Sequence, residues 1–198
     1  MITVAVSLIL LLFLACFGFY WDSREKDWTT STGSTFVMDT FVDQKFSGKQ
    51  SGLAVEKINE LLKNFENRFS AYVSSSEISR INQNAGLSYI QVSEETFDFL
   101  KTAKEYCKRS QGLFDITIGP LVDLWDITGE NPRVPDEREI QSVLKRVNYE
   151  DLLLREEDHS VMLRQEGQKL NLGGMAKGTA GALAIETAKS YGVHSGYL

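Results

Sequence analysis

Apolar residues recur every three to four positions over about 50–68 and just beyond. Ile58, Leu61, Leu62, Phe65 and Phe69 fall on one stripe, the pattern of a helix that buries one face. Before it, Thr35 to Val42 mixes β-branched and aromatic residues and reads as a strand. Ser74 to Asn84 predicts a loop and a short helix, and Ser88 to Val92 a short strand. Ser93 opens a second helix, with Glu94 and Glu95 in the first turn and Lys101, Lys104, Lys108 and Arg109 toward the end. That polarity suits the helix dipole, and Gly112 can close the helix. Pro135-Asp136 starts a third helix, with Ile140, Val143, Leu144 and Val147 expected inward. Strands are expected at 152–154, 160–164 and 168–172, the last two joined through Glu166-Gly167. A fourth helix over about 175–190 stops before Gly192, and Val193 to Leu198 begins another strand. Helices mixed with antiparallel hairpins predict an α+β fold. A strand begun after a helix should continue and pair, so the fold is expected to be incomplete at its C-terminal end.

The N-terminal pattern differs. Met1 to Trp21 carries no charged side chain and is almost wholly apolar from Val4 to Phe17. Twenty-one helical residues reach about 31 Å, the thickness of a bilayer core. Residues 1–21 are therefore expected to enter a membrane. Three fates stay open: a cleaved signal, a lipoprotein signal that leaves acylated Cys16 at the new N-terminus, or an uncleaved anchor. The flank Asp22 to Asp27 holds Arg24 and Lys26, while no basic side chain precedes the segment. Counted alone, these charges favour keeping the following domain inside the cell. Residues 22–34 read as a polar tether, and 35–198 as one domain.

Composition narrows the classes. The 198 residues are 42% hydrophobic and 24% charged, as in an ordinary globular protein. A net charge of −6 and a pI near 5.1 argue against nucleic-acid binding. Two cysteines, Cys16 and Cys107, make neither a disulfide framework nor a zinc site. Cys107 reads as a small buried helix residue. His159 and His194 complete no Ser-His-Asp set and no HExxH motif.

Three segments offer chemistry. In Asn171-Leu172-Gly173-Gly174-Met175-Ala176-Lys177-Gly178 a strand gives way to glycines and then a helix. Backbone N–H groups at such a start suit phosphate, and Lys177 would add a charge. A plain strand-to-helix turn is the alternative. In Phe114-Asp115-Ile116-Thr117-Ile118-Gly119-Pro120, Asp115 and Thr117 share one face of an extended run. They would bind a ribose or a base edge, or else stabilise a turn. Met38-Asp39-Thr40, with Tyr72 after the first long helix, would flank an aromatic cofactor or simply pack.

These segments, in this order, resemble the FAD:protein FMN transferase (ApbE) family. The resemblance also takes in Arg68-Phe69-Ser70-Ala71-Tyr72, Ser76-Glu77-Ile78-Ser79-Arg80-Ile81-Asn82 and Leu121-Val122-Asp123-Leu124-Trp125, and it covers nearly all of 35–198. It implies an exported, often lipid-anchored α+β flavoprotein that takes FAD with Mg²⁺. Such a protein moves FMN to a Ser or Thr of an acceptor protein and releases AMP; some relatives hydrolyse FAD instead. The resemblance implies that Met38, Tyr72, Phe114, Asp115, Ile116, Thr117, Asn171 and Lys177 face FAD, and that the Gly174 carbonyl is a metal ligand. It identifies no catalytic residue here. Asn171 stands where the family commonly has Asp, which loses a charge. The family chain also continues further and takes side-chain metal ligands from that later part. One carbonyl does not hold Mg²⁺, so this chain is expected to catalyse poorly. The alternative is a membrane-anchored protein that binds or hydrolyses FAD without transfer. No flavin-acceptor motif occurs in the chain, so it is not expected to be its own substrate.

Overall fold

The computed structural model describes residues 12–18, 28–127 and 129–198. The described residues fall into two units. One comprises Met1–Leu62 with Gly181–Leu198, and the other Lys63–Ala180. Most of the apolar N-terminal run lies outside the described residues. Residues 12–18 are helical and exposed. Among the described residues no helix is long and apolar enough to cross a membrane.

In the first unit, β1 (Thr29–Val37) and β2 (Thr40–Gly48) form an antiparallel hairpin, and β6 (Val193–Tyr197) pairs antiparallel with the other edge of β2. The single strand expected over 35–42 is thus a hairpin tip. Met38 and Asp39 both take left-handed backbone angles, φ 52° and 56°, as a two-residue turn between twisted strands demands. Thr29 to Ser34, expected in the tether, belong to β1. Alternating threonines and small residues fit a pleated strand, and polar composition alone concealed this. Helix α1 (Ser51–Phe69) is tied to the hairpin: the Ser51 hydroxyl donates to the Thr29 carbonyl (2.9 Å) and Gln44 Nε2 to Asn59 Oδ1 (2.7 Å). Phe46, Ala54, Ile58 and Leu62 are buried here.

The second unit holds α2 (Glu77–Gln83), β3 (Ile90–Gln91), α3 (Glu94–Arg109), α4 (Gly119–Trp125), α5 (Glu137–Leu144), β4 (Leu152–Arg155) and β5 (Ser160–Leu163). It also contains the start of α6 (Gly173–Ser190). Its sheet is antiparallel in the order β3-β5-β4. Ser93 caps α3 as its sequence predicts, accepting the Thr96 N–H. The Glu77 carboxylate reaches across from α2 to the Ser93 N–H (3.0 Å), the Ser93 hydroxyl (2.8 Å) and the Thr96 hydroxyl. Phe97, Leu100, Ala103 and Cys107 bury the inner face of α3, with Ile78, Ile81, Leu152 and Leu163 also buried. Burial pushes the Cys107 thiol up from its ordinary pKa.

Three expectations fail. The hairpin 160–164/168–172 does not form. Instead β5 pairs with β4, while Lys169 makes only an isolated parallel bridge to Ile118. The extended run from Phe114 is a turn leading into α4, which Pro120 starts; proline at a helix N-terminus is the missed signal. Helix α5 has no buried residue, so Ile140, Val143 and Val147 are only half-buried and Leu144 is exposed.

Candidate active site

Most of the sequence-predicted residues meet in the second unit, around the start of α6. Tyr72 stands in a turn after α1 that is tied down from below. Ser70 Oγ accepts the N–H groups of Tyr72 (3.1 Å) and Val73 (3.3 Å), while the hydroxyls of buried Ser76 and Ser79 donate to the Ser70 and Ala71 carbonyls. The phenol is left exposed. Asn171 Nδ2 reaches its oxygen at 3.4 Å. Lys169 Nζ stands 5.8 Å from the ring centroid and 2.6 Å from Asp123 Oδ2. Neither Lys169 nor Asp123 was expected here.

Segment 169–171 is held from one side by the turn that precedes α4. The Asn171 N–H donates to the Ile116 carbonyl (2.8 Å) and the Gly119 N–H to the Lys169 carbonyl (3.0 Å). The approach needs glycine: a Cβ at Gly119 would lie 2.5 Å from the Lys169 oxygen. Asn171 Oδ1 accepts the Gly173 N–H (2.9 Å), capping the start of α6. Phe114 lies over Gly174, whose Cβ would come 2.9 Å from the ring. Lys177 follows one turn on and is exposed.

Asp115 and Thr117 are engaged inward. Asp115 Oδ1 accepts both the N–H (2.7 Å) and the hydroxyl (2.6 Å) of Thr117, and Oδ2 accepts the Tyr149 N–H (2.9 Å). Thr117 is buried and accepts the Asn148 N–H (2.8 Å). The turn-stabilising alternative therefore describes these two side chains. Ile116 is fully buried and offers the site its carbonyl. Met38 belongs to the first unit, on the strained hairpin turn.

Gly174, whose carbonyl the resemblance implies as a metal ligand, is exposed at the start of α6. Among the described residues no three His, Cys, Asp or Glu side chains gather where they could hold an ion. Magnesium seeks six oxygens in octahedral array, so the described residues do not by themselves build its site.

What they do build is a corner where an exposed tyrosine meets the turn into a glycine-rich helix start, with an exposed lysine one turn on, carried on an α+β fold. The chain belongs to the ApbE family, whose sequence model matches residues 38–198. It is 33% identical over 145 residues to a protein of Klebsiella pneumoniae named FAD:protein FMN transferase, covering 73% of this chain and 46% of that one. Among solved structures it superposes on the ApbE protein of Thermotoga maritima with a TM-score of 0.75 at 30% identity, over 82% of this chain and 53% of that one. The flavin transferase ApbE of Vibrio cholerae shares the fold at a TM-score of 0.76 and 24% identity, over 85% and 56%. The motif-based resemblance and the α+β class are thus borne out. The chain spans about half the length of these proteins.

Proposed function

We propose that this chain takes part in FAD:protein FMN transfer, gripping FAD at the Tyr72–Asn171–Lys177 corner. One observation carries the reading. Lys177 is exposed one turn into α6, on the same helix start as Gly173 and Gly174. A cation disfavours the positive end of a helix. The arrangement makes sense when an anion such as a pyrophosphate sits between them.

In the reaction, a Ser or Thr hydroxyl of the acceptor protein loses its proton and its oxygen bonds to the FMN phosphorus. The bond from that phosphorus to the AMP oxygen breaks, and AMP leaves with the electron pair. Magnesium, when bound with the pyrophosphate, would neutralise phosphate charge, and the resemblance implies the Gly174 carbonyl as one oxygen it would take from this chain. The chain's own residues position the substrate: Tyr72 offers a ring face, Asn171 fixes the turn and Lys177 neutralises charge. Because they offer the metal so little, turnover by these 198 residues is expected to be slow, and FAD binding to precede it. The uncharged run Met1–Trp21 supports a location at a membrane, and the family resemblance, against the flanking charges, supports its exported face, with Cys16 a candidate for acylation.

The test is titration of the full chain with FAD, followed by flavin fluorescence, then challenge with AMP. Competition by AMP and at least a tenfold weaker FAD affinity in Lys177→Ala are expected. A chain that ignores FAD sinks the reading. With Mg²⁺ and a threonine-bearing acceptor peptide, AMP release matched by flavin on the threonine marks transfer. AMP without labelled peptide marks hydrolysis, and FAD retained without AMP marks binding alone.

A further inference from the structure

Leu170 is fully buried, yet it lies outside any sheet. The neighbouring backbone groups of 169 and 171 are taken by Gly119 and Ile116. That leaves the Leu170 N–H and C=O pointing the other way, where a second strand would normally sit. Orphaned in the interior, both would be costly. They are met by one side chain from α2, 88 residues earlier. The Leu170 N–H donates to Asn82 Oδ1 at 2.7 Å, and Asn82 Nδ2 donates to the Leu170 carbonyl at 3.0 Å. A primary amide carries one acceptor and one donor at the spacing of a peptide group. Asn82 thus imitates the missing strand for a single residue. Helix α2 is itself fixed by buried Ile78 and Ile81 and by the Ser76 cap. The clamp therefore has a rigid base.

The clamped residue immediately precedes Asn171, whose side chain caps Gly173 and reaches Tyr72. We propose that Asn82 is a positioning residue for the FAD site: by holding both backbone groups of Leu170 it sets the path of the Asn171–Gly174 turn. The consequence for FAD rests on the function proposed above. The positioning itself does not, and the two are tested separately.

In the full chain, Asn82→Ala should speed amide hydrogen exchange at Asn171 and Gly173 roughly tenfold, with the amides of α3 unchanged. FAD affinity measured well below the unfolding temperature should weaken by about the same factor. A clamp that merely stabilised the fold would lower the unfolding temperature and leave the affinity of the folded protein alone. Asn82→Asp gives a second arm should the alanine variant fail to fold. Ionised, the introduced carboxylate accepts from the Leu170 N–H but opposes the Leu170 carbonyl; protonated, it regains a donor and restores both bonds. The FAD affinity of this variant, relative to the parent chain at each pH, should therefore recover as pH falls from 8 to 5. Unchanged exchange at Asn171 and Gly173 overturns the proposal. So does faster exchange with undiminished FAD affinity, or an Asn82→Asp affinity that tracks the parent at every pH. If the parent chain itself does not bind FAD, the exchange arm still decides the positioning, and the failure belongs to the functional reading.

Discussion

Asp115 shows what a single residue can and cannot announce. An acidic residue two before a threonine fits a ribose contact and a local turn equally well. Two of its three short hydrogen bonds are local, to Thr117, but the third depends on Tyr149 returning from 34 positions away, which no local pattern encodes. Phe114 over Gly174 and the Gly119 approach to Lys169 are equally non-local. The glycines were visible, but the atoms they make room for were not. The backbone contact at Gly119 gives a sharp expectation. Gly119→Ala would force its Cβ against the Lys169 carbonyl, which cannot rotate aside as a side chain can. Denaturant unfolding should show a loss of about 1–3 kcal/mol, together with weaker FAD binding, since the same segment leads to Asn171. A neutral Gly119→Ala would mean that the approach is looser than the contact implies.

At the scale of elements, the long helices and the short strands β3 to β6 are legible in the sequence, while the pairing of strands and the short helix α4 are not. Ser93 with Glu94 and Glu95, and Pro135-Asp136, carry start signals that act within one turn. A strand's pairing partner is not displayed in the sequence, so the polar start of β1 reads as tether and 168–172 as a hairpin arm. Helix α5 depends unusually on its local signal, because none of its residues is fully buried. Asp136 and Glu139 form a reciprocal capping box, and Arg133 grips the Glu139 carboxylate through two bonds of 2.7 and 2.8 Å. That guanidinium, with the Asp136 N–H, holds the Glu139 carboxyl down to about 2. A carboxyl depressed on folding stabilises above its unfolded value, near 4.3, and loses that contribution as pH falls toward 2. The residues of α5 should therefore lose amide protection between pH 5 and 2, ahead of α3. Glu139→Gln should abolish that pH dependence while leaving a frayed helix at all pH values. Equal protection of α5 at pH 5 and pH 2 in the parent chain would refute the dependence on Glu139.

At the scale of the whole molecule, two tendencies oppose one another. The chain carries a net charge of −6, which an anionic membrane surface repels, though only within a screening length of about 8 Å at physiological salt. Against this stand twelve Ile, Leu, Val and Phe residues in the first twenty-one, each favouring insertion by roughly 0.3–0.6 kcal/mol at the helix centre. Insertion of several kcal/mol outweighs repulsion between exposed, screened charges. The full chain mixed with vesicles of anionic and zwitterionic lipid should consequently float with them in a density gradient, and 1 M salt should not release it. Leu10→Arg, near the middle of the run, costs about 2.5–3.5 kcal/mol and should leave most of the protein at the bottom of the gradient. Release by salt would mean that surface charge, not the apolar run, holds the chain. Indifference to Leu10→Arg would mean that the segment does not insert, and a site facing FAD would then need some other tether to reach a membrane.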